Sequence, residues 1–282
     1  MTTPTARRQA IGRQPLEQQP RRKNPRPFPV SGALLAAVVA SLLAAASGCG
    51  TSEPAKTASY LTPAPPTTRL NACADRTGSV GKKGAGLVMP ALADAVADYQ
   101  PTAPNGSQAG LELHVHLVDA QVGTEKPEFT VDIPGVPELG PQPDGDADTQ
   151  LAWSNDQATR TSQLNAAKAA GAKGAAALRA PAPKPTGSGV TLCLASFGET
   201  DTATTVLVSD AADNLAQPHG VRVRGRLVVL QLCSSTPQKC ASDVAKVGHW
   251  WTHNGGGQVQ TVPAELTGLN KQISVVLSGN QS

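Results

Sequence analysis

From residue 111 onward, apolar and polar positions alternate. Leu111, Leu113, Val115 and Leu117 fall on one side of an extended chain, and Glu112, His114 and His116 fall on the other. That is the period-two pattern of a strand with one buried face. Phe129, Val131 and Ile133 repeat it before Pro134-Gly135, so residues 129–133 are expected to form a short antiparallel edge strand. Other runs are strongly apolar or β-branched without that alternation. Residues 70–74, 204–209 and 226–232 read as strands buried on both faces, and 258–262 as a last short strand. Between these runs the spacing turns helical. Leu92, Val96 and Tyr99 mark a helix over 90–99 with Pro90 near its first turn, and 190–197, 243–252 and 264–277 read as further helices. Residues 150–179 form a long Ala-rich helical stretch, expected to be broken or weakened at Gly171 and Gly174. A Pro/Gly-rich polar insertion occupies 137–148, and no internal repeat is visible. Strands alternating with helices predict an α/β fold. Its sheet is doubly wound and mostly parallel, with one short antiparallel edge strand and helices on both faces.

The first 29 residues carry Arg7, Arg8, Arg13, Arg21, Arg22, Lys23 and Arg26 against a single acid, Glu17, and an uncharged run over 30–48 follows. This is the pattern of an export signal. Ala46-Ser47-Gly48-Cys49 closes it with small residues before a cysteine, resembling the lipobox of bacterial lipoproteins, with Ala46 where Leu is usual. Cys49 would then be lipidated. A plain signal peptide or a retained anchor is the other reading, since the run approaches the ~20 residues that span a bilayer. Each of these readings sends the remainder outside the cytoplasm, and lipid on Cys49 would hold it at the extracytoplasmic face of the cell membrane. Residues 49–68, rich in Thr, Ser, Pro and Ala, are expected to be an extended tether with no core to join. The folded domain is expected over 69–278.

The formal charge of +3 is set by the leader, which holds seven of the 24 basic residues and one of the 21 acids. The rest of the chain is mildly acidic and has no basic stripe for a phosphate backbone, which argues against nucleic acid as a partner. Aromatic residues make up only 3%, so the core must be built from Val, Leu and Ala. Beyond Cys49 there are four cysteines, an even number readily paired in an exported protein. Cys233 and Cys240 flank a short polar segment and make one pair. Cys73 and Cys193 are then left either to each other or as buried thiols.

Candidate chemistry begins where the first apolar strand ends. Asp75, Thr77 and Ser79 stand at alternate positions, three hard oxygens suited to Mg²⁺. A second strand, 204–209, also ends in an acid, Asp210, with the hydroxyl-rich loop 186–189 shortly before it. This set resembles the metal-ion-dependent adhesion site (MIDAS) of von Willebrand factor type A (vWA) domains, and the resemblance covers most of the chain beyond residue 66. It assigns Asp75, Thr77 and Ser79 to the first segment, Ser188 to the loop hydroxyl, with Thr186 two residues away, and Asp210 to the second acid. Ala211 follows Asp210 where the family usually has Gly. With the leader, the whole resembles a secreted bacterial lipoprotein of actinobacterial type.

The resemblance implies Mg²⁺, or Mn²⁺ or Ca²⁺ in its place, and a protein or peptide partner whose acidic group completes the metal shell. No general base, nucleophile or third carboxylate stands near, so binding without chemistry is expected. The alternative is a vWA-like scaffold with an empty site in an envelope complex, with Asp75 and Asp210 serving as turn and cap residues. A haloacid-dehalogenase-like phosphatase would need a second Asp where Thr77 stands. Elsewhere, His114 with His116, and His249 with His253, have metal-pair spacing. A polar strand face is the expectation for the first pair, and local packing beside Trp250 and Trp251 for the second. Lys82-Lys83 and Arg222, Arg224 and Arg226 read as solvated surface.

Overall fold

The computed structural model describes residues 59–77, 80, 84, 86–120, 127–181, 185–199 and 201–279. The leader, Cys49, Ser79 and Lys82-Lys83 lie outside them. In chain order the elements are β1 (Leu61–Thr62), β2 (Thr68–Asp75), α1 (Val88–Ala97), β3 (Leu111–Val118), β4 (Phe129–Ile133), β5 (Glu138–Leu139) and α2 (Ala147–Leu178). They are followed by α3 (Val190–Ala195), β6 (Thr204–Ser209), β7 (Leu227–Gln231), α4 (Pro237–His253), β8 (Val259–Pro263) and α5 (Leu269–Leu277). Among the described residues, no helix is long and apolar enough to cross a membrane.

Six strands form the main sheet in the order β4-β3-β2-β6-β7-β8. Every neighbouring pair is parallel except β3 with β4, where Val115 faces Phe129 and Leu111 faces Ile133 in an antiparallel register. The chain builds outward from β2 on one side through β3 and β4. It then returns to the other side of β2 and builds outward again through β6, β7 and β8. The strand order therefore reverses between β2 and β6, the topological switch point at which doubly wound sheets collect ligands.

The helices divide by face. Leu70, Ala72 and Ala74 point with Leu111, Leu113 and Val115 toward α1, α2 and α5, where Leu92, Val96, Leu178, Ile273 and Leu277 complete one core. Cys73, Leu207, Leu227 and Val229 point the other way, toward α3 and α4, and meet Cys193, Leu194, Val247 and Trp251. The fold is thus the doubly wound α/β type with helices on both faces and an antiparallel edge strand, as the periodicity predicts.

Several elements differ from the sequence expectation. Helix α2 runs unbroken through Gly171 and Gly174, both buried. A Cβ on Gly171 would lie 3.1 Å from the carbonyl oxygen of Val96, and one on Gly174 would lie 2.6 Å from Cγ1 of Val131. These glycines let α2 approach α1 and β4 closely, and that packing outweighs their weak helix propensity of about 1 kcal/mol each. The end of the expected tether is also part of the fold. Leu61 and Thr62 pair with Leu139 and Glu138, and the Tyr60 N–H donates to Asp156 of α2 at 2.7 Å. A two-residue ladder is too short to carry a periodic signal, so neither β1 nor β5 was visible in the residue pattern. The 137–148 insertion supplies β5 and then Asp146, whose side chain caps α2 by accepting from the Thr149 N–H. Helix α4 starts at Pro237 rather than 243, with Thr236 as its cap. Helix α5 starts at Leu269 rather than 264.

Both cysteine pairs are disulfides, Cys73–Cys193 and Cys233–Cys240. The first joins β2 to α3 across 120 residues; the second closes a turn of 7. Chain-entropy arguments assign the long loop about 5 kcal/mol and the short one about 2 kcal/mol. Replacing Cys73 and Cys193 together by Ala should therefore lower unfolding stability about twice as much as replacing Cys233 and Cys240. Urea denaturation of the two double variants measures this, and equal losses would contradict it.

Candidate functional site

Because β2 and β6 run in parallel with Ala74 opposite Val208, the next residues of the two strands, Asp75 and Ser209, stand side by side at their carboxyl ends. Both belong to the α3/α4 face. Asp75 is completely buried. Its Oδ1 accepts from the Thr77 N–H at 2.8 Å and from the Thr77 hydroxyl at 2.7 Å, and its Oδ2 accepts from the Ser209 hydroxyl at 2.5 Å. Among the described residues no Lys, Arg or His pairs with this carboxylate. Burial pushes its carboxyl above the ordinary 3.8. The Ser209 and Thr77 hydrogen bonds pull it back only in part, and the negative charge of Asp210 adds to the rise.

Asp210 leaves β6 one residue later and is also buried. Its Oδ1 accepts from the Ala212 N–H at 3.0 Å, and its Oδ2 accepts from the Ser234 hydroxyl at 2.9 Å. Ala211, between these contacts, has φ +61°, the one non-glycine residue with positive φ among those described. Alanine in that left-handed region costs about 1–2 kcal/mol. The glycine-type turn is therefore made here by alanine. It is held from both sides, since Ser209 Oγ accepts from the Ala211 N–H at 2.9 Å.

The loop before α3 docks on this same turn. Ser188 donates its hydroxyl to the Ala212 carbonyl at 2.6 Å, and its own carbonyl accepts from the Asn214 N–H at 2.9 Å. Thr191 bonds Asp213 through both its N–H, at 3.0 Å, and its hydroxyl. Thr186 is engaged elsewhere. Its N–H and hydroxyl donate at 2.8 and 2.7 Å to Asp119, the residue after β3. Of the two loop hydroxyls, Ser188 is the one placed beside the Asp210 turn.

The structure thus gathers Asp75, Thr77, Ser188 and Asp210 at one edge of the sheet, while Ser79 lies outside the described residues. Ser209 and Ser234 join them, although sequence reading did not single them out. Ser209 carried a signal, a polar residue closing the apolar run Val206-Leu207-Val208 directly before Asp210. Ser234, in a Ser-rich turn after β7, carried none. Among the described residues no group of three or more His, Cys, Asp or Glu is placed to hold a metal ion. Any cation here would rest on two carboxylates and several hydroxyls. That donor set is chemically apt for a hard cation such as Mg²⁺ or Mn²⁺. A hydroxyl that gives its proton to a carboxylate or carbonyl keeps lone pairs for a metal, and each carboxylate oxygen accepts more than one bond.

The other histidines divide by burial. His116 is buried with Nδ1 3.1 Å from Glu128, and the exposed side of the same strand face pairs His114 and Arg69 with Glu112. Trp250 and Trp251 are buried, but His249 and His253 are exposed, so packing accounts for the tryptophans and not for the histidines.

No family model matches the chain, and no curated protein matches it in sequence. Several solved structures are similar to it, among them the following two. A von Willebrand factor type A protein from Catenulispora acidiphila is 11% identical over 75% of this chain and 42% of its own, with a TM-score of 0.32. The manganese-loaded TRAP protein of Plasmodium vivax is 12% identical over 77% of this chain and 64% of its own, with a TM-score of 0.29. The chain spans less than two thirds of either. Likenesses this distant carry no argument about the site. The vWA/Rossmann-like character of the fold rests on the strand order itself.

Two outcomes follow from the geometry. Ala211→Gly relieves about 1–2 kcal/mol of backbone strain and loses about 0.8 kcal/mol of buried methyl. Glycine also adds about 0.4–1 kcal/mol of unfolded-chain entropy, so stability should change by less than about 1 kcal/mol in either direction, and a loss above about 2 kcal/mol in denaturant melts would contradict the turn. For Asp75 the unfolded state ionises near the ordinary 3.8 while the folded state holds its proton to higher pH. Its contribution to stability therefore falls as pH rises from 3.8 through the raised folded value and is flat above it. In chelator, Asp75→Asn should remove that decline, as read from the difference between the two proteins' urea midpoints across pH.

Proposed function

We propose that this chain is a membrane-anchored, extracytoplasmic binding module that recognises an acidic group on a protein or peptide through Mg²⁺. The observation that carries the reading is the pairing of Asp75 and Asp210 at the switch point. Both carboxylates are buried, Asp75 has no basic partner among the described residues, the exposed Lys239 acts on Asp210 only at longer range, and the hydroxyls of Thr77, Ser188, Ser209 and Ser234 surround them. A divalent cation would neutralise both charges and relieve the burial penalty on Asp75. With only two anionic ligands it would keep enough Lewis acidity to take a carboxylate from a partner. Lipid on Cys49 would supply the membrane anchor, and the acidic exported part would keep the module away from nucleic acid.

The role is binding and not catalysis. Among the described residues, each polar group named above is committed to a neighbour, which leaves no side chain with the freedom of a general base. A phosphatase reading is weakened further, since Thr77 spends its hydroxyl on Asp75 where a second acid would be required. One observation favours a scaffold with an empty site. Both carboxylates already accept hydrogen bonds at each oxygen, an arrangement that is complete without metal.

Calorimetric titration separates the two readings. The wild-type chain should bind one equivalent of Mg²⁺ or Mn²⁺, and Asp75→Ala and Asp210→Ala should each weaken binding by at least about tenfold, or 1.4 kcal/mol. Circular dichroism checks that the variants remain folded. A folded wild-type chain that takes up neither ion would support the scaffold.

A further inference from the structure

We infer that His249 and His253 form a second, chemically distinct metal site on the exposed face of α4, selective for imidazole-preferring divalent cations such as Cu²⁺, Ni²⁺ and Zn²⁺. Residues four apart on a helix share one face. Both side chains are exposed, and their rings face each other with centroids 6.0 Å apart and planes 25° from parallel. Two imidazoles on one ion with bonds of about 2.0–2.1 Å hold their centroids roughly 5 Å apart. Closing the remaining ångström takes only side-chain rotation, because neither ring is packed.

The backbone beneath them is held in place. Trp250 and Trp251, between the two histidines, are buried and fasten this turn to the core. The Asn254 amide donates to the Trp250 carbonyl at 2.7 Å, and the Gly256 N–H donates to the Trp251 carbonyl at 3.0 Å. Gly256 also lies against the Trp251 indole, where a Cβ would come within 2.2 Å of Nε1. His253 occupies the last turn of α4, the negative end of the helix dipole, which favours a bound cation.

Neighbouring basic groups are drawn away. Lys246 Nζ is 3.1 Å from Asp243, and Arg222, which lines a cleft with His253, is oriented toward Glu199 at 4.0 Å. No third His, Cys, Asp or Glu joins the pair among the described residues, so water or a partner would complete the coordination. Nitrogen ligands suit the later transition metals, while the oxygens at Asp75 suit Mg²⁺ and Mn²⁺. The imidazole pair therefore discriminates against Mg²⁺ and Mn²⁺. The inference does not depend on the proposed function.

The test is titration of the untagged chain with Cu²⁺ and with Zn²⁺. With excess Mg²⁺ present to occupy the oxygen site, one equivalent should bind, and His249→Ala or His253→Ala should each weaken it by at least about tenfold, while His114→Ala and His219→Ala leave it unchanged. Frozen-solution electron paramagnetic resonance of the Cu²⁺ form should report two imidazole nitrogens. Unchanged affinity in the His249→Ala/His253→Ala double variant would overturn the inference, as would loss of Cu²⁺ binding on Asp75→Ala alone. Because both histidines are solvated, their removal does not threaten the fold.

Discussion

The parallel hydrogen-bonded ladder between β2 and β6 is the constraint on which the candidate site depends. Its register sets Ala74 beside Val208, so the two chains leave the sheet at the same height with Asp75 and then Asp210. Helical crossovers require β2, β3, β6 and β7 to run in one direction. Asp119, Asp75, Asp210 and Ser234 therefore gather on one edge, although they lie up to about 160 residues apart in sequence. Two carboxylates so placed repel each other and lose hydration. The hydroxyls of Thr77, Ser209 and Ser234 are turned toward them, and that of Ser188 toward the backbone of the same turn.

That arrangement has internal costs. Burial raises the energy of ionised Asp75, and the only compensation within the described chain is neutral hydrogen-bond donation. Ala211 holds a backbone conformation that a glycine would adopt freely. Strain and unpaired buried charge at one point are the usual marks of a site shaped by something other than stability. A bound cation would offset the charge, and the Ala211 turn fixes how Asp210 and the Ser188 loop approach it.

The frame around the site compensates for a core poor in aromatics. Close approach replaces bulk where Gly171 and Gly174 let α2 settle against α1 and β4. Covalent links then hold the parts that form the candidate site. Cys73 is two residues before Asp75 on the same strand, and its partner Cys193 is five residues beyond Ser188, so one disulfide spans both walls of the edge. The other, Cys233–Cys240, encloses Ser234, whose hydroxyl bonds Asp210. At the end of α4, buried Trp250 and Trp251 set the direction in which His249 and His253 emerge.

Much of this was legible in the residues because alternation and apolar runs report burial directly. The strands β2, β3, β4, β6, β7 and β8, the two-sided sheet and the acids at the ends of β2 and β6 all follow from local pattern. So does the even set of cysteines, though not the certainty that Cys73 and Cys193 pair. What local pattern could not express was relation across space. It could not show that Ser209 faces Asp75, that Ser234 reaches Asp210, or that Thr186 is taken by Asp119. Nor could it show that Ala211 is held in the left-handed region, that Leu61 and Leu139 form a ladder, or that two glycines sit inside a continuous helix. Propensity and periodicity are properties of neighbours along the chain. Register, packing distance and hydrogen-bond partnership arise only when distant segments compete for the same space, and at this sheet edge that competition fixed the placement of the candidate ligands.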